Sequence, residues 1–67
     1  MTVHITLNGQ AHELSNGATL AALLAQLKLS PDKVAIELNR RLVRQEKYDT
    51  PLKDGDVVEV VTFVGGG

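Results

Sequence analysis

Three glycines at the end of the sequence, Gly65, Gly66 and Gly67, offer chemistry on the main chain itself. Glycine has no side chain and the widest backbone freedom, so such a run is expected to be flexible and to fit a channel too narrow for other residues. Where the chain ends at Gly67, that residue presents an unhindered α-carboxylate. The pattern therefore predicts a domain of residues 1–64 followed by a flexible glycine tail of residues 65–67.

A carboxylate is a poor acyl donor because oxide would have to leave, so it must first be activated. Attack on the α-phosphate of ATP gives an acyl-adenylate, and a sulfur nucleophile that displaces AMP leaves a thiocarboxylate. The sequence contains no cysteine, no serine in a nucleophile elbow and no phosphate-binding glycine loop. We therefore expect a protein cosubstrate rather than an enzyme, without a bound cofactor, whose ATP is used by a separate activating enzyme.

Composition narrows the class of protein further. The 67 residues suffice for one small domain, and 43% hydrophobic and 22% charged residues are typical of a globular chain. A net charge of -1 argues against a nucleic-acid binder. A signal-peptide pattern and an apolar segment long enough to span a bilayer are both lacking, so a cytoplasmic protein without a membrane partner is expected.

The two histidines, His4 and His12, fall on the two strands of a predicted hairpin, where they could approach each other. Two histidines without a third type of ligand make a weak case for a metal site. We therefore expect surface histidines and no bound metal.

The elements that must hold the tail follow from the spacing of apolar residues. In "TVHITL" apolar and polar residues alternate as in a half-buried strand, and Asn8-Gly9 favours a hairpin that returns through residues 10–14. Thr19 is a suitable N-cap for a helix that cannot continue past Pro31. Four leucines at helical spacing would form its apolar stripe: Leu20, Leu23, Leu24 and Leu27.

Three further strands are predicted in the second half of the chain, at residues 34–38, 42–44 and 57–64, with an irregular segment at residues 45–52. Turns at "NR" and "DG" separate them. The result is an α+β fold of order β-β-α-β-β-β, in which one helix packs on one face of a mixed sheet of four to five strands. The other face is left for solvent or for a partner.

The last strand, "VVEVVTFV", divides by parity into two sets of side chains. Glu59 is costly to bury without a partner, so its set is expected to face outward. This orientation exposes Val61 and Phe63 beside Glu59 and predicts a partner-binding face. The inward set would be Val58, Val60, Thr62 and Val64. The alternative is a bulge that returns Phe63 to the core.

The segment "RRLVRQEK" concentrates Arg40, Arg41, Arg44 and Lys47 near one hairpin. Such a segment is either a solvated face or a site of electrostatic docking to an acidic partner, which would accelerate association.

Taken together, "VAIELNRRLVRQEKY", "LKDGDVVEVVTFV" and the terminal "GGG" resemble the thiamine-pathway sulfur carrier proteins, a ubiquitin-like β-grasp family, over essentially the whole chain. The resemblance implies that an E1-like adenylyltransferase activates Gly67 and that a persulfide protein delivers sulfur to it. It also implies that thiazole synthase receives the thiocarboxylate, with a glycine-derived imine and a deoxyxylulose phosphate product. Gly66 and Gly67 match the family's diglycine, and Gly65 extends it.

Three alternatives stay open at the level of sequence. The sister carrier of molybdopterin synthesis shares the fold and tail chemistry, and a ubiquitin-like modifier would join Gly67 to a lysine amine. The third is an interaction domain in which the glycines have no function.

Overall fold

The computed structural model describes residues 1–63, which form a mixed five-stranded sheet with one α-helix against one face. The strands β1 to β5 are Thr2–Leu7, Gln10–Ser15, Val34–Leu38, Arg41–Val43 and Val57–Thr62, and the helix α1 is Leu20–Gln26. Two short 3-10 helices, Pro31–Lys33 and Gln45–Lys47, lie in the connections. This arrangement confirms the predicted α+β class and order. Val64 and the glycine tail lie outside the described residues.

The last strand occupies the centre of the sheet, whose order is β2-β1-β5-β3-β4. β5 pairs in parallel with β1 and antiparallel with β3, whereas the two outer pairs are antiparallel hairpins. This is the β-grasp arrangement. The strand that precedes the glycines in the sequence is thus hydrogen-bonded to a neighbouring strand on each side, which fixes its position in the domain.

The helix forms where its leucine stripe and cap predict it. Thr19 accepts a hydrogen bond from the Ala22 amide at 3.1 Å, and Leu20, Leu23 and Leu24 are buried against the sheet. The helix ends at Gln26, well before Pro31. The core that these leucines complete consists otherwise of strand residues and two residues of the loop before β5: Val3, Ile5, Leu14, Val34, Ile36, Tyr48, Leu52, Val58 and Val60.

The segment predicted as irregular, residues 45–52, contributes more than the sequence indicated. Tyr48 is buried, and its carbonyl accepts from the Ala21 amide at 2.9 Å, in the first turn of α1. The Leu52 amide donates to the Ala18 carbonyl at 2.8 Å. The segment therefore closes the core beside the helix N-terminus and satisfies a main-chain amide that no helical carbonyl can reach.

Three details of the predicted strands are wrong. β4 covers Arg41–Val43 rather than residues 42–44, and β5 ends at Thr62, before Phe63. Thr62, expected inside, is exposed at this strand end. Within residues 1–63, no helix has the length and apolar character needed to cross a membrane.

Candidate functional site

The sheet face that points away from α1, called here the outer face, is exposed along β5. Val61 is 61% exposed and Phe63 is 59% exposed, and Glu59 is exposed between the two strand neighbours Val58 and Val60, which are buried. This alternation confirms the orientation predicted from parity and excludes the bulge that would return Phe63 to the core. The Phe63 amide donates to the Lys33 carbonyl at 2.8 Å, so the main chain stays paired with the β3 side up to this residue.

Register adds residues from β3 and β4 to the outer face. Ala35 lies opposite Val61, Glu37 opposite Glu59, and Leu42 opposite Glu37. Leu42 is 69% exposed, the largest exposed fraction among the large apolar residues of the strands. Glu37 and Leu42 were not among the residues predicted for this face. Only the strand pairing shows that Glu37 lies beside Glu59 of β5 and that Leu42 lies one strand further out, beside Glu37.

Two asparagines hold β5 from opposite sides, a role that sequence reasoning missed. The Asn8 Oδ1 accepts from the Val60 amide at 2.8 Å, and its Nδ2 donates to the Val60 carbonyl at 3.3 Å. The pairing of β1 with β5 ends at Leu7 and Val58, and the Asn8 side chain makes the next hydrogen bonds to the β5 main chain in place of a β1 residue. On the β3 side, Asn39 Oδ1 accepts from the Val57 amide at 2.9 Å.

Both asparagines occupy left-handed positions in hairpin turns, with φ of 50° at Asn8 and 52° at Asn39. Asparagine tolerates this conformation better than most residues, and the same geometry aims its amide at the neighbouring strand. Each turn residue therefore has two functions: it reverses one hairpin and it fixes the strand that bears the outer face.

We expect Asn8→Gly to lower the free energy of unfolding by about 1–3 kcal/mol, because two hydrogen bonds to Val60 are lost while the left-handed turn is kept. Denaturant unfolding followed by circular dichroism measures this change. Asn16→Gly is the control for the change of residue type, since among the side-chain hydrogen bonds of residues 1–63 none involves Asn16. Because Asn16 is not left-handed, glycine there costs only backbone entropy, and the loss should be about 1 kcal/mol or less. Equal losses in the two variants would contradict the proposed role of Asn8.

The arginines predicted as an electrostatic docking site are exposed but do not gather on one face. Arg40 is in the turn with φ of 70°, Arg41 lies opposite Leu38 on the helix side of the sheet, and Arg44 precedes the second 3-10 helix. Since Arg41 and Leu42 are consecutive in β4, their side chains point to opposite faces. Arg41 therefore lies on the face opposite to Leu42 and cannot contribute to docking through the outer face. Electrostatic docking through Arg40, Arg41 and Arg44 stays a prediction.

The two histidines, which the hairpin could have brought together, do not share a face. His4 lies opposite Glu13 and His12 opposite Ile5, so their side chains are on opposite faces of the hairpin. His4 Nε2 is 3.0 Å from a Glu13 oxygen and its Nδ1 is 3.7 Å from Asp54. Because the two carboxylates meet different ring nitrogens, they do not converge on one point. Within residues 1–63, no cluster of three or more potential ligands could hold a metal ion.

The β-grasp topology, with a central last strand and an exposed apolar face beside it, defines a ubiquitin-like domain. Comparison with known proteins gives the family. The ThiS family model matches residues 5–67, and the chain belongs to this family. Its members are small sulfur carriers.

The relatives include a sulfur carrier of similar length and a much longer thiazole synthase. The chain is 41% identical over 64 residues to the sulfur carrier protein ThiS of Thermus thermophilus, a match that covers 94% of this chain and 98% of that one. It is 43% identical over 68 residues to a thiazole synthase of Magnetococcus marinus, which covers 100% of this chain but 20% of the relative. The chain therefore spans about a fifth of the thiazole synthase relatives that it matches.

Solved structures agree with the fold. The crystal structure of a thiamine biosynthesis protein (ThiS) from Geobacter metallireducens is similar with a TM-score of 0.75 and 36% identity, over 97% of this chain and 100% of that one. One chain in a complex of subunits 1 and 2 of the molybdopterin-converting factor from Helicobacter pylori is similar with a TM-score of 0.58 and 30% identity. The match covers 100% of this chain and 100% of that one. The predicted ubiquitin-like β-grasp fold and the predicted family are confirmed.

Proposed function

We propose that this protein is the sulfur carrier for the thiazole ring of thiamine, and that it acts as a cosubstrate rather than as a catalyst. The observation on which this rests is that the ThiS family match continues through Gly67. The names of its relatives, sulfur carrier protein ThiS and thiazole synthase, favour the thiamine pathway.

The chemistry follows from the carboxylate of Gly67 in a chain that ends there. One carboxylate oxygen attacks the α-phosphate of ATP, and pyrophosphate leaves. A sulfur nucleophile then attacks the acyl carbon, and AMP leaves with the oxygen that it gained. Where the nucleophile is the terminal sulfur of a persulfide, a second thiol must cleave the sulfur–sulfur bond, which yields the thiocarboxylate and a disulfide.

The folded part and the tail have different tasks in this proposal. Gly65 and Gly66 enter the active sites of the partners, whereas Glu59, Val61 and Phe63 contact their surfaces. The E1-like adenylyltransferase and thiazole synthase would use the same face in turn, so each complex must be released rapidly and modest affinity is expected. ATP is bound by the activating enzyme, and a cytoplasmic location stays a prediction.

The test begins with the intact mass of the chain after incubation with an E1-like adenylyltransferase, ATP and a sulfide source. A gain equal to sulfur in place of oxygen, located at Gly67 by fragmentation, is expected. Purified thiocarboxylate is then supplied to thiazole synthase with its other substrates, and sulfur from the carrier should appear in the thiazole product. An unchanged mass with an enzyme that activates another carrier of the family would exclude the proposal.

A molybdopterin carrier is the second candidate, favoured by the similarity to the Helicobacter pylori complex. Transfer of sulfur to a molybdopterin precursor with the large synthase subunit, and not to thiazole, would support it. A ubiquitin-like modifier would instead appear as covalent adducts between Gly67 and lysines of other proteins.

A further inference from the structure

Two glutamates stand side by side at the centre of the outer face. Glu37 of β3 and Glu59 of β5 are direct partners in the antiparallel register, and both are exposed. Directly opposite residues have Cβ atoms about 4.5–5.5 Å apart and share a face of the sheet. The main chain therefore holds the two glutamates as neighbours, so that both carboxylates can reach one group placed above them.

This pairing has no compensating cation in the part of the chain that the structure describes. Among residues 1–63, the contacts between basic and acidic side chains within 4.0 Å join His4 to Glu13 and to Asp54, and none involves Glu37 or Glu59. Like charges directly opposite each other in a sheet are destabilising, so the pair costs stability in the free domain. A cation brought by a partner would convert this repulsion into attraction.

The surroundings of the pair favour a guanidinium group. Leu42 of β4 is the register partner of Glu37. Val61 lies two residues beyond Glu59 on the same face, with Ala35 opposite it. This apolar rim excludes water when a partner docks, which strengthens a charged contact. A planar guanidinium can donate to both carboxylates at once and is more weakly hydrated than an ammonium group, so it suits this position better than lysine.

We propose that Glu37 and Glu59 together receive an arginine side chain from the activating enzyme, with Leu42 and Val61 packed around it. This inference rests on the proposed function, since it names the contact through which the adenylating enzyme recognises the carrier. It adds Glu37, from a different strand, to the face and assigns the chemistry of the partner residue.

The test compares Glu37→Gln/Glu59→Gln with Glu46→Gln/Asp49→Asn. The control pair is also exposed, lies outside the outer face and removes the same charge. With a purified E1-like adenylyltransferase, the outer-face variant should bind roughly tenfold or more weakly, while the control binds like the wild type. The loss should lie in the affinity more than in the adenylation rate at saturating carrier, because Gly67 is intact. Its free energy of unfolding at low salt should rise or stay equal.

The outcomes distinguish a failure of the sulfur-carrier function from a failure of the proposed glutamate–arginine contact. A wild-type chain that is never adenylated excludes the proposed function itself. Normal adenylation with equal affinity of both double variants overturns the glutamate pair and leaves the sulfur carrier intact. If the double variant is less stable, the single variants Glu37→Gln and Glu59→Gln, each compared with Glu46→Gln, decide by the same affinity measurement.

Arginine is tested directly by labelling the enzyme with phenylglyoxal, a reagent for guanidinium groups. Wild-type carrier should protect one enzyme arginine, identified by peptide mass, and the outer-face double variant at the same concentration should protect it several-fold less. Protection of lysine only, measured with an amine reagent, would overturn the choice of guanidinium.

Discussion

Removal of Gly67 is expected to abolish ATP-dependent activation of the chain and to leave the fold unchanged. The deletion moves the carboxylate to Gly66, one residue closer to β5, and a displacement of one residue is several times the tolerance of a positioned reaction. ATP-dependent pyrophosphate release with an E1-like adenylyltransferase should therefore fall at least a hundredfold. Within residues 1–63, the last residue of the buried core is Val60, so thermal unfolding should be unaffected.

A chain lengthened by one alanine after Gly67 completes the experiment. It keeps every glycine and moves the carboxylate in the opposite direction, so it should fail in the same way. Both variants should still compete with the unaltered chain for the enzyme, since the outer face is intact. Adenylate formation by the shortened chain at the wild-type rate would refute the assignment of Gly67.

Leu23→Ala is expected to lower the free energy of unfolding by about 2–5 kcal/mol. Leu23 is fully buried between α1 and the sheet, so truncation removes apolar contacts and leaves a cavity. A domain of this size has a total stability of roughly 3–10 kcal/mol, so this single change consumes a large part of it. Urea unfolding measures the loss, and a fraction of the variant should be unfolded without denaturant.

Leu42→Ala is the matched comparison because it removes the same atoms from an exposed position on the outer face. Its effect on unfolding should be about 0.5 kcal/mol or less. If Leu42 contacts a partner, the variant should instead weaken binding to the adenylating enzyme. Equal destabilisation by the two substitutions would show that Leu42 belongs to the folding core and would remove it from the docking face.

Local patterns in the sequence predicted most of the elements. The leucine stripe and Thr19 predicted α1, the turn residues predicted both hairpins, and the alternation around Glu59 predicted which side of β5 is exposed. These features depend on periods of a few residues and on the cost of burying an isolated charge, so neighbouring residues are enough to indicate them. The chemistry assigned to the terminal glycines also comes from the sequence, and it stays a prediction.

Contacts between distant segments were decided only by the tertiary structure. The Asn8 amide reaches Val60 across 52 positions of sequence, and Tyr48 closes the core beside the start of the helix, although its segment has no apolar period. The separation of the histidines depends on the register of a hairpin, where a shift of one residue would reverse the faces. The adjacency of Glu37 and Glu59 depends on register in the same way. Sequence spacing specifies the face of a residue within its own strand, but the pairing of strands determines its neighbours.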